Sequence, residues 1–329
     1  MKALNFEQIK TLVHGAARVE EGDGKISFFR FTEEQQELYK SVYTDFYNKS
    51  FSTSGIYLEF DTDSENLAFS VEVTPASSRR YFTHSIFKDG VRIGELSGDI
   101  GSAEKVNQSK EFKLGKGKKR IRILFPWSVA SRLTSLCLDD NASFSGTQKD
   151  FKMLVIGDSI TQGYDASRPE IAYSLQITDH FNAEALNKGI AGEQFFGRFA
   201  SIKEEFEPDL ITVAYGTNDW RHGSFERFTR ECRAFFENLR KNYPDVLIIA
   251  ITPLWRVDID NPQVIGKPLS FIADYIRDIA KTVPKMKVIE GFDLIPHNAE
   301  HFQTDGVHPV DSGFMHYGKN LLKELTEII

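Results

Sequence analysis

Phe151-Lys152-Met153-Leu154-Val155-Ile156-Gly157-Asp158-Ser159-Ile160-Thr161 is a short apolar run that closes on glycine and passes into polar residues. This pattern reads as a buried strand ending in a turn. Working outward, three more apolar runs of strand length follow at 210–215, 246–251 and 287–289. Between the second and third of these four strands, Phe225, Phe228, Cys232, Phe235, Phe236 and Leu239 recur at helical spacing, with Pro244 just beyond. The last helix carries Phe314, Tyr317, Leu321, Leu322, Leu325 and Ile328. Continuous apolar strands alternating with amphipathic helices predict a parallel sheet covered on both faces. Ligands in such folds bind beyond the carboxyl ends of the strands.

Residues 1–148 have another texture. Phe6, Ile9 and Leu12 suggest a short helix, and a second follows Thr32, with Gln35 completing a capping-box pattern and Leu38, Tyr39, Val42 and Tyr43 on its apolar side. After that the apolar period is two. Ile56, Leu58 and Phe60 alternate with Tyr57 and Glu59; Leu67, Phe69, Val71 and Val73 alternate with polar residues; so do Ile121 and Ile123. Alternation of this kind predicts half-buried antiparallel strands, and several of them without long helices between suggest a β-sandwich. The small, polar stretch 139–148 reads as the linker. The expected organisation is therefore a sandwich over 1–148 and an α/β domain over 149–329.

The 329 residues carry 40 basic and 47 acidic side chains, a net charge of −7. That balance argues against a general nucleic-acid partner, which presents a basic face. Residues 1–148 are neutral in balance, so the negative excess lies in the second half. The cluster Lys116, Lys118, Lys119, Arg120 and Arg122 reads as a solvated hairpin. Cys137 and Cys232 alone exclude a disulfide framework and a multi-cysteine zinc site. No apolar run reaches membrane-spanning length and no apolar leader follows Met1, so the expected residence is the cytoplasm.

The chemistry-bearing residues fall at strand ends. Ser159 follows the first strand, though Gly-Asp-Ser also serves as an ordinary turn and helix cap. Asn218, in Gly216-Thr217-Asn218-Asp219, follows the 210–215 strand and can donate to a developing oxyanion, or simply form a turn. Asn187-Lys188-Gly189-Ile190-Ala191-Gly192 offers glycines whose N–H groups can approach a reacting oxygen. Asp305-Gly306-Val307-His308 precedes the last helix. A serine nucleophile needs a base, and the base needs a carboxylate to hold its tautomer. Asp305 and His308, three residues apart on one loop, can converge on Ser159 in the chain order of other α/β serine hydrolases.

These four blocks, in this order, resemble the SGNH (GDSL) hydrolase superfamily over residues 151–329. The resemblance implies a three-layer flavodoxin-like fold with Ser159 as nucleophile, His308 as base and Asp305 orienting it. It also implies an oxyanion hole made by Ser159, Gly192 and Asn218, with no metal and no cofactor. A sandwich (jelly-roll-like) ahead of such a domain is similar in architecture to two-domain carbohydrate acetyl esterases. The expected partner is a small-molecule or oligosaccharide ester, with no membrane. Trp220, Arg221, Trp255 and Arg256 follow strand ends and are the expected substrate-binding residues. Two other functions fit the blocks less well: a lysophospholipase or thioesterase for longer acyl chains, and an inactive glycan-binding protein.

Overall fold

The computed structural model describes residues 1–261 and 263–329. They form two compact units. One comprises Met1–Thr32, Tyr47–Asp150 and Arg168–Glu170; the other comprises Glu33–Phe46, Phe151–Ser167 and Ile171–Ile329.

The first unit is a sandwich of two antiparallel sheets. In one, Arg18–Gly22, Lys25–Phe29, Val129–Leu138, Asn66–Pro75 and Val106–Lys113 lie side by side; in the other, Phe144–Gly146, Tyr57–Thr62, Lys119–Leu124, Tyr81–Lys88 and Val91–Asp99 do. Leu58, Phe60, Phe69, Val71, Ile86, Ile121, Ile123 and Leu136 fill one continuous core between them. Three expectations need correction. The stretch 139–148 is no loose linker: Phe144–Gly146 pairs with Tyr57–Thr62, and Asp139 accepts the N–H groups of Glu65 and Asn66. The strand Tyr57–Thr62 is buried on both faces, because Lys149, Thr147 and Arg122 cover Glu59. The hairpin lysines are not all solvated, since Lys119 is buried and its Nζ donates to the Ser64 carbonyl at 2.7 Å.

The second unit is built on five parallel strands in the spatial order Ala183–Gly189, Phe151–Gly157, Leu210–Ala214, Leu247–Ile251, Met286–Ile289. In chain order this is 2-1-3-4-5, the flavodoxin-like doubly wound sheet, whose switch point lies between the first and third strands. The helix Phe225–Asn242 buries Phe228, Cys232, Phe235, Phe236 and Leu239, and the Ser224 side chain caps it by accepting the Arg227 N–H. The helix Asp311–Ile328 buries Phe314, Tyr317, Leu321 and Leu325.

The segment Glu33–Phe46, expected within the sandwich, packs with the second unit instead. Its helix, Glu33–Val42, buries Gln35, Gln36, Leu38 and Tyr39. The Gln35 amide donates to Glu204 Oε1 and accepts from Lys188 Nζ at 3.0 Å, and Lys188 Nζ lies 2.7 Å from Glu204 Oε1. A buried ion pair with a bridging amide ties the segment down, where a lone buried charge would be costly.

Candidate active site

The first strand ends at Gly157, where a side chain would strike Thr161 Oγ1 at 2.1 Å and the Ala214 carbonyl oxygen at 2.8 Å. Only glycine lets the chain turn there. Asp158 then caps a single helical turn, Ser159–Gln162, its Oδ1 accepting the Ile160 N–H at 3.0 Å. Burial pushes the Asp158 carboxyl up to about 6, against the pull of that N–H and of the nearby positive charges. Ser159 is thereby set at the carboxyl edge of the first strand, beside the switch point.

The loop before the last helix brings the other two groups. The Asp305 carboxylate accepts the N–H groups of Val307 and His308 at 2.9 and 3.0 Å, so the loop folds around its own acid. His308 Nδ1 lies 2.6 Å from Asp305 Oδ2, and His308 Nε2 lies 2.8 Å from Ser159 Oγ. Partial burial pushes the Asp305 carboxyl up. The hydrogen bond from His308 and the two backbone donors outweigh that and hold it well below the usual carboxylate range. An ionised carboxylate can only accept. His308 therefore carries its hydrogen on Nδ1 and turns the lone pair of Nε2 to the serine hydroxyl. The Tyr164 ring packs at 5.0 Å from the imidazole and limits its rotation.

A second group of residues surrounds the third strand and the glycine block. Gly192 has φ +88°, and the Glu193 N–H donates to the Ile190 carbonyl at 3.1 Å. This is a turn whose third residue needs a left-handed backbone, which glycine adopts without strain. Gln162 Oε1 accepts the Ala191 N–H at 2.9 Å. Asn218 lies in the first turn of the helix Thr217–His222 and its Nδ2 donates to the Glu193 carbonyl at 3.0 Å. Among the described residues, neither the Ser159 nor the Gly192 N–H donates to a partner. Asp219 is fully enclosed, and burial pushes its carboxyl up to about 7 against the opposing Arg227 charge. It accepts the Phe195 N–H and holds the chain beyond the glycine block.

Two of the expected substrate-binding residues are elsewhere. Trp220 is 1% exposed and its Nε1 donates to the Lys267 carbonyl at 2.8 Å, so its ring is a core element and not a stacking platform. The helix Thr217–His222 turns it inward. Arg256 is equally buried; it grips Asp258 with Nε and Nη2 at 2.8 and 2.9 Å and reaches Thr217 Oγ1 at 3.0 Å. Its role is to hold the Asn218 helix. Arg221 and Trp255 remain partly exposed, Trp255 stacked on His297 at 5.3 Å. Among the described residues, one set of groups has the closeness of a metal site: Asp165, Asp305 and His308. Asp305 Oδ2 and His308 Nδ1 already engage each other.

Residues 155–314 match the GDSL-like Lipase/Acylhydrolase family model. The parallel-sheet unit carries a domain of the GDSL/SGNH lipase-acylhydrolase family. A "Multidomain esterase" from Ruminococcus flavefaciens is 24% identical over 261 residues, 66% of this chain. The chain spans only 34% of that protein's length. Among solved structures, the "Salicylyl-Acyltransferase SsfX3 from a Tetracycline Biosynthetic Pathway" superposes with a TM-score of 0.87 at 17% identity, covering 99% of this chain and 97% of its own. "An Acetyl Xylan Esterase (Est2A)" from the rumen bacterium Butyrivibrio proteoclasticus superposes at 0.65 and 15% identity, covering 99% and 98%.

Gln162 and Glu193 take part in the site's support and carry no motif signal that would mark them in advance, while Tyr39 and Tyr215 were legible only as apolar positions of a helix and a strand run.

Proposed function

We propose that the protein hydrolyses short-chain esters, acetyl esters on carbohydrate above all, through a Ser159 acyl-enzyme. The observation that carries the reading is the continuous line Asp305 Oδ2, His308 Nδ1, His308 Nε2, Ser159 Oγ at 2.6 and 2.8 Å. In the proposed sequence His308 takes the Ser159 proton as Oγ attacks the ester carbonyl. The oxyanion accepts from the Ser159 and Gly192 N–H groups and from the second hydrogen of Asn218 Nδ2. His308 then protonates the leaving alcohol, and water repeats the steps in reverse to free the acid.

The make-up of the adjoining loops supports the short-acyl preference. Each buried methylene of an acyl chain is worth ~0.8 kcal/mol in an apolar groove. The loops after Ser159 and Asn218 bring Tyr164, Asp165, Arg221 and His222 rather than a continuous apolar face. The carbohydrate preference draws on the acetyl xylan esterase likeness, with Arg221 and Trp255 as the accessible rim residues. A series of aryl esters tests the chain length: kcat/KM peaks at acetate or propionate and falls beyond butyrate. A peak at octanoate would move the reading to a lipid or thioester substrate. The salicylyl-acyltransferase likeness supports one further possibility, transfer of the acyl group to an alcohol in place of water. Added alcohol then diverts product from acid to ester in proportion to its concentration.

A further inference from the structure

Glu193 sits directly after Gly192, is 1% exposed, and has no part in the four motif blocks. Its carboxylate accepts two buried phenols at once. Tyr39 OH donates to Oε1 at 2.5 Å and Tyr215 OH donates to Oε2 at 2.7 Å. Tyr215 directly follows the third strand, Leu210–Ala214. Tyr39 comes from the helix Glu33–Val42, far away in sequence, and is itself completely buried, stacked on Phe199 at 5.5 Å. Burial pushes the Tyr215 hydroxyl well above its ordinary value, and the Glu193 charge adds to it, so this phenol remains a donor.

The backbone of the same residue touches the oxyanion donors from both sides. Its carbonyl accepts one hydrogen of the Asn218 amide at 3.0 Å. A primary amide has two hydrogens in one plane, so fixing the first aims the second. Its N–H closes the turn on the Ile190 carbonyl, which holds Gly192 in its left-handed conformation. Gln194 Nε2 donates back to the Asn218 carbonyl at 2.8 Å and locks the pair. A shift of the Glu193 side chain would therefore tilt two oxyanion donors together.

We propose that Glu193 is a positioning residue for the oxyanion hole, and that Tyr39 sets its place from the helix Glu33–Val42. The proposal rests on the reading of Gly192 and Asn218 as oxyanion donors. It makes the helix part of the machinery that sets kcat, in addition to its role in packing. A carboxylate that only glued the helix in place would affect stability and leave the chemical step alone.

The test is steady-state hydrolysis of an aryl acetate by the full chain as wild type, Tyr39→Phe, Asn218→Ala, the double variant and Ser159→Ala, with thermal unfolding of each. Phenylalanine keeps the ring packing and removes only the donor. Tyr39→Phe is expected to lower kcat about tenfold with KM within about twofold, the size of effect that a small misplacement of catalytic donors produces. In the Asn218→Ala background the same substitution is expected to cost much less, because residues acting through one another are not additive. Unchanged kcat in a folded Tyr39→Phe protein would overturn the proposal. So would an equal loss in both backgrounds, which would mean a general effect on the fold. Should Tyr39→Phe not fold, Tyr215→Phe carries the same expectations. Retained activity in Ser159→Ala would instead sink the underlying reading, and the proposal with it.

Discussion

At the residue scale the account turns on His308 presenting a lone pair to Ser159. The Asp305 carboxylate holds that tautomer, and its contacts keep it ionised across the working range. Asp305→Asn puts an amide where the acceptor was and permits the wrong tautomer. The expected loss in kcat is on the order of 10⁴, with KM little changed, measured on an aryl acetate. A loss below tenfold would mean the carboxylate is dispensable. The meeting of Asp305, His308 and Ser159 was legible because each stands in a short block, Ser159 just after a strand and Asp305 and His308 on the loop before the last helix. Trp220 was misread for a related reason. Its position after a strand end is visible in sequence, but the way the helix Thr217–His222 turns is not, and that turn buries the indole. Glu193 was invisible because a carboxylate in a glycine-rich loop looks like any solvated acid until the two phenols are seen around it.

At the scale of elements, apolar periodicity carried the reading far. The four strand runs and the two long helices of the parallel-sheet unit stand where the spacing placed them. The fifth strand, Ala183–Gly189, is weakly apolar and offered no strand run to read; only the glycine block at its end marks its place. The helix Glu33–Val42 was legible as a helix, but its partner was not. Chain proximity suggested the sandwich, whereas Gln35 and Tyr39 engage Lys188, Glu204 and Glu193. Lys188→Met tests the strength of that attachment. It leaves the Glu204 charge buried without its cation, and the expected cost is about 3–5 kcal/mol in urea unfolding. Replacing Glu204 with Gln as well is expected to recover part of the loss. A cost within 0.5 kcal/mol, roughly what a surface change produces, would mean that the pair contributes nothing to holding the segment.

At the scale of the whole molecule, buried titratable groups give the stability a pH signature. His84 lies in the sandwich core, with Nε2 2.7 Å from Ser131 Oγ. Burial pushes its imidazole from 6.5 down to about 3. The unfolded chain therefore takes up the proton first as pH falls. The contribution is fully present above about 6.5 and is lost towards 3, with a slope of up to ~1.4 kcal/mol per pH unit. Asp158 and Asp219, pushed up to about 6 and about 7, act in the opposite direction, so the difference between proteins is the useful quantity. The urea midpoint of His84→Gln is expected to fall less steeply than that of the wild type between pH 7 and pH 5. Parallel curves would show that His84 does not titrate on unfolding.

The most direct test of the central claim is labelling by a fluorophosphonate, with the modified peptide mapped by mass spectrometry and aryl acetate hydrolysis followed in the same sample. The account predicts one label per chain, on Ser159, with activity lost in step with labelling and no label on a folded His308→Ala variant. Hydrolysis that survives complete labelling of Ser159, or a label that lands on another residue as activity disappears, would contradict it.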